Sequence, residues 1–193
     1  MVDAMVNKLK EIDRDDLVRR AGRDAEALGG LYELYYDPIL RYCMHRLFNR
    51  TVAEDAVGAI FLNVAGRIGD FKGECDGDFR KWLYTIASNH VNDHIRKHLR
   101  RKAILARVTT SRAAMDAPDV SDSIQFTWPT VYQAIMTLNH REQTIVTLRF
   151  LEGLCFADIA EIVGRQESSV RVVLHRSLKK LRNHLETVFG GDL

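Results

Sequence analysis

Between Gln166 and Arg182 the chain reads QESSVRVVLHRSLKKLR, and these are residue types that meet nucleic acid. Gln166, Glu167, Ser168, Ser169 and Arg171 gather at the start of a helical pattern, where short polar side chains and an arginine can reach base edges in a major groove. His175, Arg176, Lys179, Lys180 and Arg182 follow at spacings suited to phosphates, contacts that make affinity fall with salt. From Arg171 to Arg182 there are five lysines and arginines and no acid. Ahead of this run, Phe156, Ile159, Ile162 and Val163 recur at helical spacing and lead into Gly164. A short apolar helix, a glycine turn and a basic helix together predict a helix-turn-helix, the first helix bracing and the second entering the groove. An ordinary helical hairpin with a solvated basic face shares the apolar spacing, but the coincidence of all three features favours the DNA reader.

A second cluster lies on a long helical pattern over residues 79–102. Asn89, Asn92/Asp93, Arg96 and Arg100 are spaced to share one side of it, and Trp82 and Tyr84 stand nearby. Aromatic rings beside basic residues suit unpaired bases, which stack on them. Trp82 on its own, at helical spacing from Phe79 and Ile86, reads more simply as core. His90, His94 and His98 fall at i, i+4 and i+8, a spacing that can hold zinc on a helix. No neighbouring cysteine or carboxylate completes a ligand set, so the stripe reads as a solvated or phosphate-facing surface and no metal is expected. No nucleophile elbow, phosphate-binding loop or H-E-x-x-H sequence occurs, and neither an enzyme nor a cofactor is expected.

The elements that must position these clusters are helices. The 193 residues are 46% apolar and 28% charged, ordinary for a globular chain, and a net charge of +2 is too small to name a partner by itself. The charge is instead concentrated, in Arg96–Lys102 and in the second helix of the predicted helix-turn-helix. Cys43, Cys75 and Cys155 form no C-x-x-C pair, which favours a reducing compartment over a disulfide framework. With no apolar run of about 18–20 residues and no apolar core in the opening MVDAMVNKLKEIDRDD, a cytoplasmic location is expected.

Periodicity predicts helices over Ala25–Phe48, with Pro38 inside, and from a capping box at Thr51 and Glu54 to about Ile68. A loop with three glycines follows at Gly69–Asp78, then the long helix to Lys102. Residues 103–127 lose periodicity and gather Asp116, Pro118, Asp119 and Asp122, as a linker does. Beyond them helices are expected at 129–138, with Pro129 in the first turn, and at 140–150, 155–163 and 168–187; Asn139 and Glu142 form a cap-like pair. The fold class is therefore all-α: two small helical domains, 10–102 and 128–189, joined by a flexible linker, the second a helix-turn-helix.

Taken together, LYELYYDPILRYCMHRLF, AEDAVGAIFLNV, FKGECDGDFRKWLYTIASNHVNDHIRKHLRRK and LNHREQTIVTLRFLEGLCFADIAEIVGRQESSVRVVLHRSLKKLRNHL resemble the extracytoplasmic-function group of the sigma-70 family, from about Ala25 to Leu185. F-R-x-W-L-x-x-I-A-x-N at Phe79–Asn89, with Asp93, Arg96 and L-R-F-x-E-G-L before the helix-turn-helix, carries the likeness. The resemblance implies a subunit that catalyses nothing itself. Its first domain would grip the clamp helices of the largest subunit of core RNA polymerase through Asp55, Gly58, Ala59 and Phe61, and hold the single-stranded −10 element of promoter DNA through Lys72, Asp78, Trp82, Asn89, Asp93, Arg96 and Arg100. The loop 69–78 would pocket a flipped base, the linker acids Asp116, Asp119 and Asp122 would run in the polymerase channel, and Gln166 to Lys179 would read the −35 duplex. An anti-sigma factor is a further partner that the resemblance allows.

The chain also departs from the family. Where D-x-x-Q-E-x-F is usual, it has Asp55, Gly58, Ala59 and Phe61, without the amide and carboxylate that hydrogen-bond the clamp. Thr85, Ser88, Val173 and Leu178 replace common arginines, and Cys155 stands where serine or threonine caps the bracing helix. The rival readings are a stand-alone helix-turn-helix regulator that has lost polymerase binding and, ranked last, a metal-dependent helical enzyme built on the histidine stripe.

Overall fold

The computed structural model describes residues 13–108 and 133–189, all of their regular structure helical. Helix α1 (Arg14–Arg20) is capped by Asp13, whose carboxylate accepts from the Asp15 and Asp16 amides. Apolar spacing gives no sign of so short a helix, and it is held by burying Val18. Helix α2 (Ala25–Leu47) begins at Asp24, keeps Pro38 within it and turns Leu31, Tyr35, Ile39 and Tyr42 into the core. It ends on Phe48 in the left-handed region, at φ 55°.

Helix α3 (Arg50–Arg67) starts two residues earlier than the expected capping box would have it. Asn49 accepts from the Val52 amide at 3.0 Å, and Glu54 pairs with Arg50 at 2.9 Å rather than reaching back to Thr51. An asparagine is at least as good a cap as threonine, and here it comes first along the chain. A 3-10 turn (Ile68–Asp70) leads to the glycine loop. Helix α4 (Asp76–Val108) exceeds the expected 79–102 at both ends. Asp76 and Asp78 suit its positive N-terminal end, and no proline or glycine interrupts residues 101–108. The boundary expected at residue 103 is therefore overrun by helix.

In the second half, residues 133–136 are helical and are followed by α5 (His140–Phe150), α6 (Phe156–Val163) and α7 (Glu167–Phe189). Pro129 and the linker acids Asp116, Asp119 and Asp122 lie outside the described residues. The Asn139 and Glu142 capping box is present in both directions. Gly164 takes φ 63°, the left-handed conformation that lets α6 stop and α7 leave at an angle.

The first domain packs α2, α3 and α4 around Ile39, Tyr42, Ile60, Phe79 and Leu83, while Ile145, Leu148, Ile159, Val170 and Leu174 join α5, α6 and α7. The buried apolar residues of the two domains form one continuous core, and polar contacts also join them. Tyr84 donates to Glu152 at 2.7 Å, Lys81 meets Glu161 at 2.8 Å, and Arg80 reaches the Glu152 carbonyl at 3.5 Å. Arg46, only 2% exposed, donates to Asn92 at 2.7 Å and to the His140 carbonyl at 3.3 Å.

Candidate nucleic-acid interface

The helix-turn-helix presents the residues expected of it. Val170, Leu174 and Ser177 face inward on α7, and this phase turns Ser168, Ser169, Arg171, His175, Arg176 and Lys179 to solvent. Gln166 is exposed just before the helix and Glu167 is half-buried in its first turn. Cys155 caps α6, its sulfur accepting from the Asp158 amide at 3.4 Å, a long contact consistent with a weak acceptor. Arg171 is not free: Nε donates to Glu167 at 3.0 Å, Nη2 meets the same carboxylate oxygen, and the guanidinium lies 4.1 Å from the centre of the Phe156 ring. Arg149, whose Nη1 donates to the Leu154 carbonyl at 2.9 Å, lies 4.8 Å from the same ring. Periodicity assigns Phe156 only to the apolar stripe, so its two arginine contacts are invisible at that level. Lys180, read as a phosphate residue, is bound to Glu142 at 2.7 Å and braces α7 on α5.

In the first domain an open groove runs between α3 and α4, lined by Asn63, Arg67, Trp82, Thr85, Asn89 and Asp93. Asn89, Asp93, Arg96 and Arg100 are exposed on α4, and Arg96 is paired with Asp93. Trp82 belongs to both of its expected settings. It is half-buried, stacked near Phe71 at 4.9 Å and Phe79 at 6.0 Å, while its remaining surface forms groove wall. Asn92 leaves the polar stripe and turns inward to Arg46 and Thr144. Ser88 is 4% exposed and bonded to Tyr42 at 2.8 Å, so an arginine there would have no outlet to a phosphate in this packing. Asn63 and Arg67, the opposite wall, were not singled out by sequence; both sit on the outer face of α3, which its apolar spacing leaves exposed.

The glycine loop leads into the first turn of α4, which holds Asp78. Lys72 is exposed, whereas Asp78 is half-buried and 3.2 Å from Lys81. The Cys75 thiol and Lys81 hold the Asp78 carboxyl below its ordinary range, and Glu161 with Asp78 pushes the Lys81 ammonium up to about 12. Asp78 in the first turn of α4 and Glu161 on the bracing helix α6 thus share the Lys81 cation. Burial, and then His94, lowers His90. Among the described residues no three histidine, cysteine or carboxylate side chains are grouped to hold a metal ion.

Of the expected polymerase-facing residues, Asp55 and Gly58 are exposed and Ala59 half-buried on α3, and Leu62 beside them is 76% exposed. Phe61 is 8% exposed and packs edge-on against Tyr32 at 4.8 Å, so it supports this face from beneath rather than forming it. No helix among the described residues is long and apolar enough to cross a membrane.

Residues 31–102 match the family model of Sigma-70 region 2, and residues 134–183 that of Sigma-70, region 4. The chain is 33% identical over 168 residues to the ECF RNA polymerase sigma factor BldN of Streptomyces coelicolor, covering 86% of this chain and 63% of BldN. It therefore spans less than two thirds of that relative's length. It is 30% identical over 150 residues to the ECF RNA polymerase sigma-E factor of Haemophilus influenzae, covering 73% of this chain and 78% of the relative. Its fold is similar to that of the sigma factor RpoE of Bartonella quintana, solved in complex with the anti-sigma factor NepR, at a TM-score of 0.61 and 17% identity over 80% of this chain and 94% of that one.

Proposed function

This chain belongs to the extracytoplasmic-function group of RNA polymerase sigma factors in the sigma-70 family, and from that premise we propose that it docks on core polymerase and directs it to promoters with two separate DNA-reading surfaces. The first domain holds the −10 element as a single strand in the groove between α3 and α4, with Trp82 as the stacking wall and Asn89, Asp93, Arg96 and Arg100 along the strand. Lys72 and Asp78 bound the loop that receives a base turned out of the stack. Helix α7 enters the −35 major groove, its first turns on base edges and Arg176 and Lys179 on phosphates. As an initiation factor it catalyses no reaction itself, and it works where the chromosome is transcribed.

The observation that carries this reading is the exposure of both candidate surfaces, on α4 and α7, in a chain whose two halves match the two sigma-70 regions in order. Co-purification with core polymerase, followed by run-off transcription from promoter-bearing duplex, tests it. A chain that neither binds core nor starts transcripts, yet still binds duplex DNA, is a stand-alone regulator. The specific observation that favours this second reading is the outer face of α3, where Gly58 and Ala59 offer the clamp no hydrogen-bonding side chains. An anti-sigma factor is a further partner class, supported by the relative bound to NepR.

A further inference from the structure

A guanidinium group has two edges from which a pair of parallel N–H bonds can leave. One is formed by Nε and Nη2, the other by Nη1 and the outer side of Nη2. In Arg171 the first edge is spent, since Nε at 3.0 Å and Nη2 both donate to a single oxygen of Glu167. The second edge carries no hydrogen bond among the described residues. The plane of the group is held as well, by the Phe156 ring 4.1 Å away. That ring is itself anchored: it packs on the core at the start of α6 and lies under Arg149, which is tied to the Leu154 carbonyl at 2.9 Å. A long, flexible arginine at the mouth of a recognition helix ordinarily loses several rotatable bonds on meeting a base. Here the Glu167 pair and the Phe156 ring already restrict that freedom in the free protein.

From this arrangement we infer that Phe156 is a positioning residue for promoter reading: with Glu167 it fixes Arg171 so that the Nη1 and Nη2 edge meets the O6 and N7 acceptors of one guanine in the −35 element. Guanine is the base that offers two acceptors side by side in the major groove, and an arginine fork is the matching donor pair. The inference rests on the proposed reading of α7 as the −35 helix. It adds that the specificity of one base pair depends on an aromatic side chain of the bracing helix that need not touch DNA. Arg176, also exposed on α7, has no such support among the described residues and is left to phosphates.

The test uses holoenzyme assembled from the full chain and core polymerase, and duplexes whose −35 region is drawn from a randomised pool. In the retained sequence each guanine is replaced in turn by 7-deazaguanine, which lacks the N7 acceptor. One replacement is expected to weaken the unaltered protein by roughly 5-fold or more, and Arg171→Ala should be indifferent to that replacement. Phe156→Leu should lose about 2- to 5-fold of this discrimination, the worth of an exposed cation and ring contact, while Phe156→Tyr keeps it. Combining Phe156→Leu with Arg171→Ala should add nothing at that guanine. If leucine at 156 disturbs folding, fluorinated phenylalanines at that position keep the shape and weaken only the ring's attraction for the cation; discrimination should then fall with each fluorine. Full discrimination in folded Phe156→Leu, or a flat response to fluorination, overturns the inference. So does an unchanged base preference in Arg171→Ala, even when a −35 preference persists elsewhere. Absence of any −35 preference in the unaltered holoenzyme is a different result, and it overturns the proposed function itself.

Discussion

Lys179 stands two turns beyond Arg171 on α7, exposed and without an ion pair among the described residues, and nothing orients its ammonium. A compact cation on a flexible stem meets phosphate without reading sequence. Lys179→Ala should therefore weaken every duplex by a similar factor and lower the slope of log affinity against log salt by about 1, measured over a salt series. A loss confined to one base pair would assign Lys179 to the bases instead. At the other surface, Gly73 bears a different kind of constraint. A Cβ there would lie 2.4 Å from the Phe71 ring and 2.6 Å from the Asp78 Cβ, and Phe71 in turn rests on Trp82. Gly73→Ala should cost about 1–3 kcal/mol in thermal or denaturant unfolding, and it should weaken single-stranded −10 binding by displacing Asp78 and Trp82 together. Gly69→Ala, with nothing within 4 Å of its Cβ, is the matched control and should change neither.

At Gly58 and Ala59 the outer face of α3 has room and no hydrogen-bonding side chain. Nothing lies within 4 Å of a Cβ built at Gly58, so Gly58→Gln combined with Ala59→Glu can be accommodated on this face. The pair should stabilise the helix by up to about 1 kcal/mol through loss of the glycine and should tighten binding to core polymerase, read as a lower Kd. An unchanged Kd with a folded helix means that Leu62 and its apolar surroundings carry the docking. How far such elements can be read without coordinates depends on what holds them. Helices α2 to α7 announce themselves by apolar residues at helical spacing, because burial on one face is what stabilises them. Helix α1 does not, since it offers the core little beyond Val18, and the start of α3 is misplaced by two positions because two adequate caps, Asn49 and Thr51, compete. The solvent-facing residues of α7 follow from the phase of Val170 and Leu174. Asn92 and Ser88 do not follow from their own helix, because each is turned inward by a partner on another element, Arg46 and Tyr42, 46 residues away in each case.

The packing of the two domains belongs to the whole molecule, and it must come apart for the proposed function. A packed chain of this length has a radius of gyration of about 16 Å, whereas elements named −35 and −10 lie about 25 base pairs apart, about 85 Å of duplex. The domains share one apolar core, and the polar contacts that join them include groups sensitive to pH. Burial pushes the Glu152 carboxyl above its ordinary value of 4.5, only partly offset by the Tyr84 bond and by Arg41 and Arg80. The packed state thus favours the protonated acid, and its advantage is lost as pH rises from that value through the raised one. His140 acts in the other direction. Burial, Arg46 and Arg96 lower it from 6.5, so acid below that value charges it and also loosens the packing. Glu152→Gln keeps an acceptor for Tyr84 and removes the buried charge, so at neutral pH it should close the molecule further; Tyr84→Phe, which leaves the carboxylate without its donor, should open it. Small-angle scattering across mildly acidic to neutral pH should give Glu152→Gln a radius near the packed value with loosening only on the acid side, and Tyr84→Phe a larger one at neutrality. The same order should appear in the rate of association with core polymerase, slowest for Glu152→Gln. If the two variants scatter and associate alike, the contact at Glu152 does not control opening, and the shared apolar core with the contacts at Lys81 and Arg46 holds the domains together.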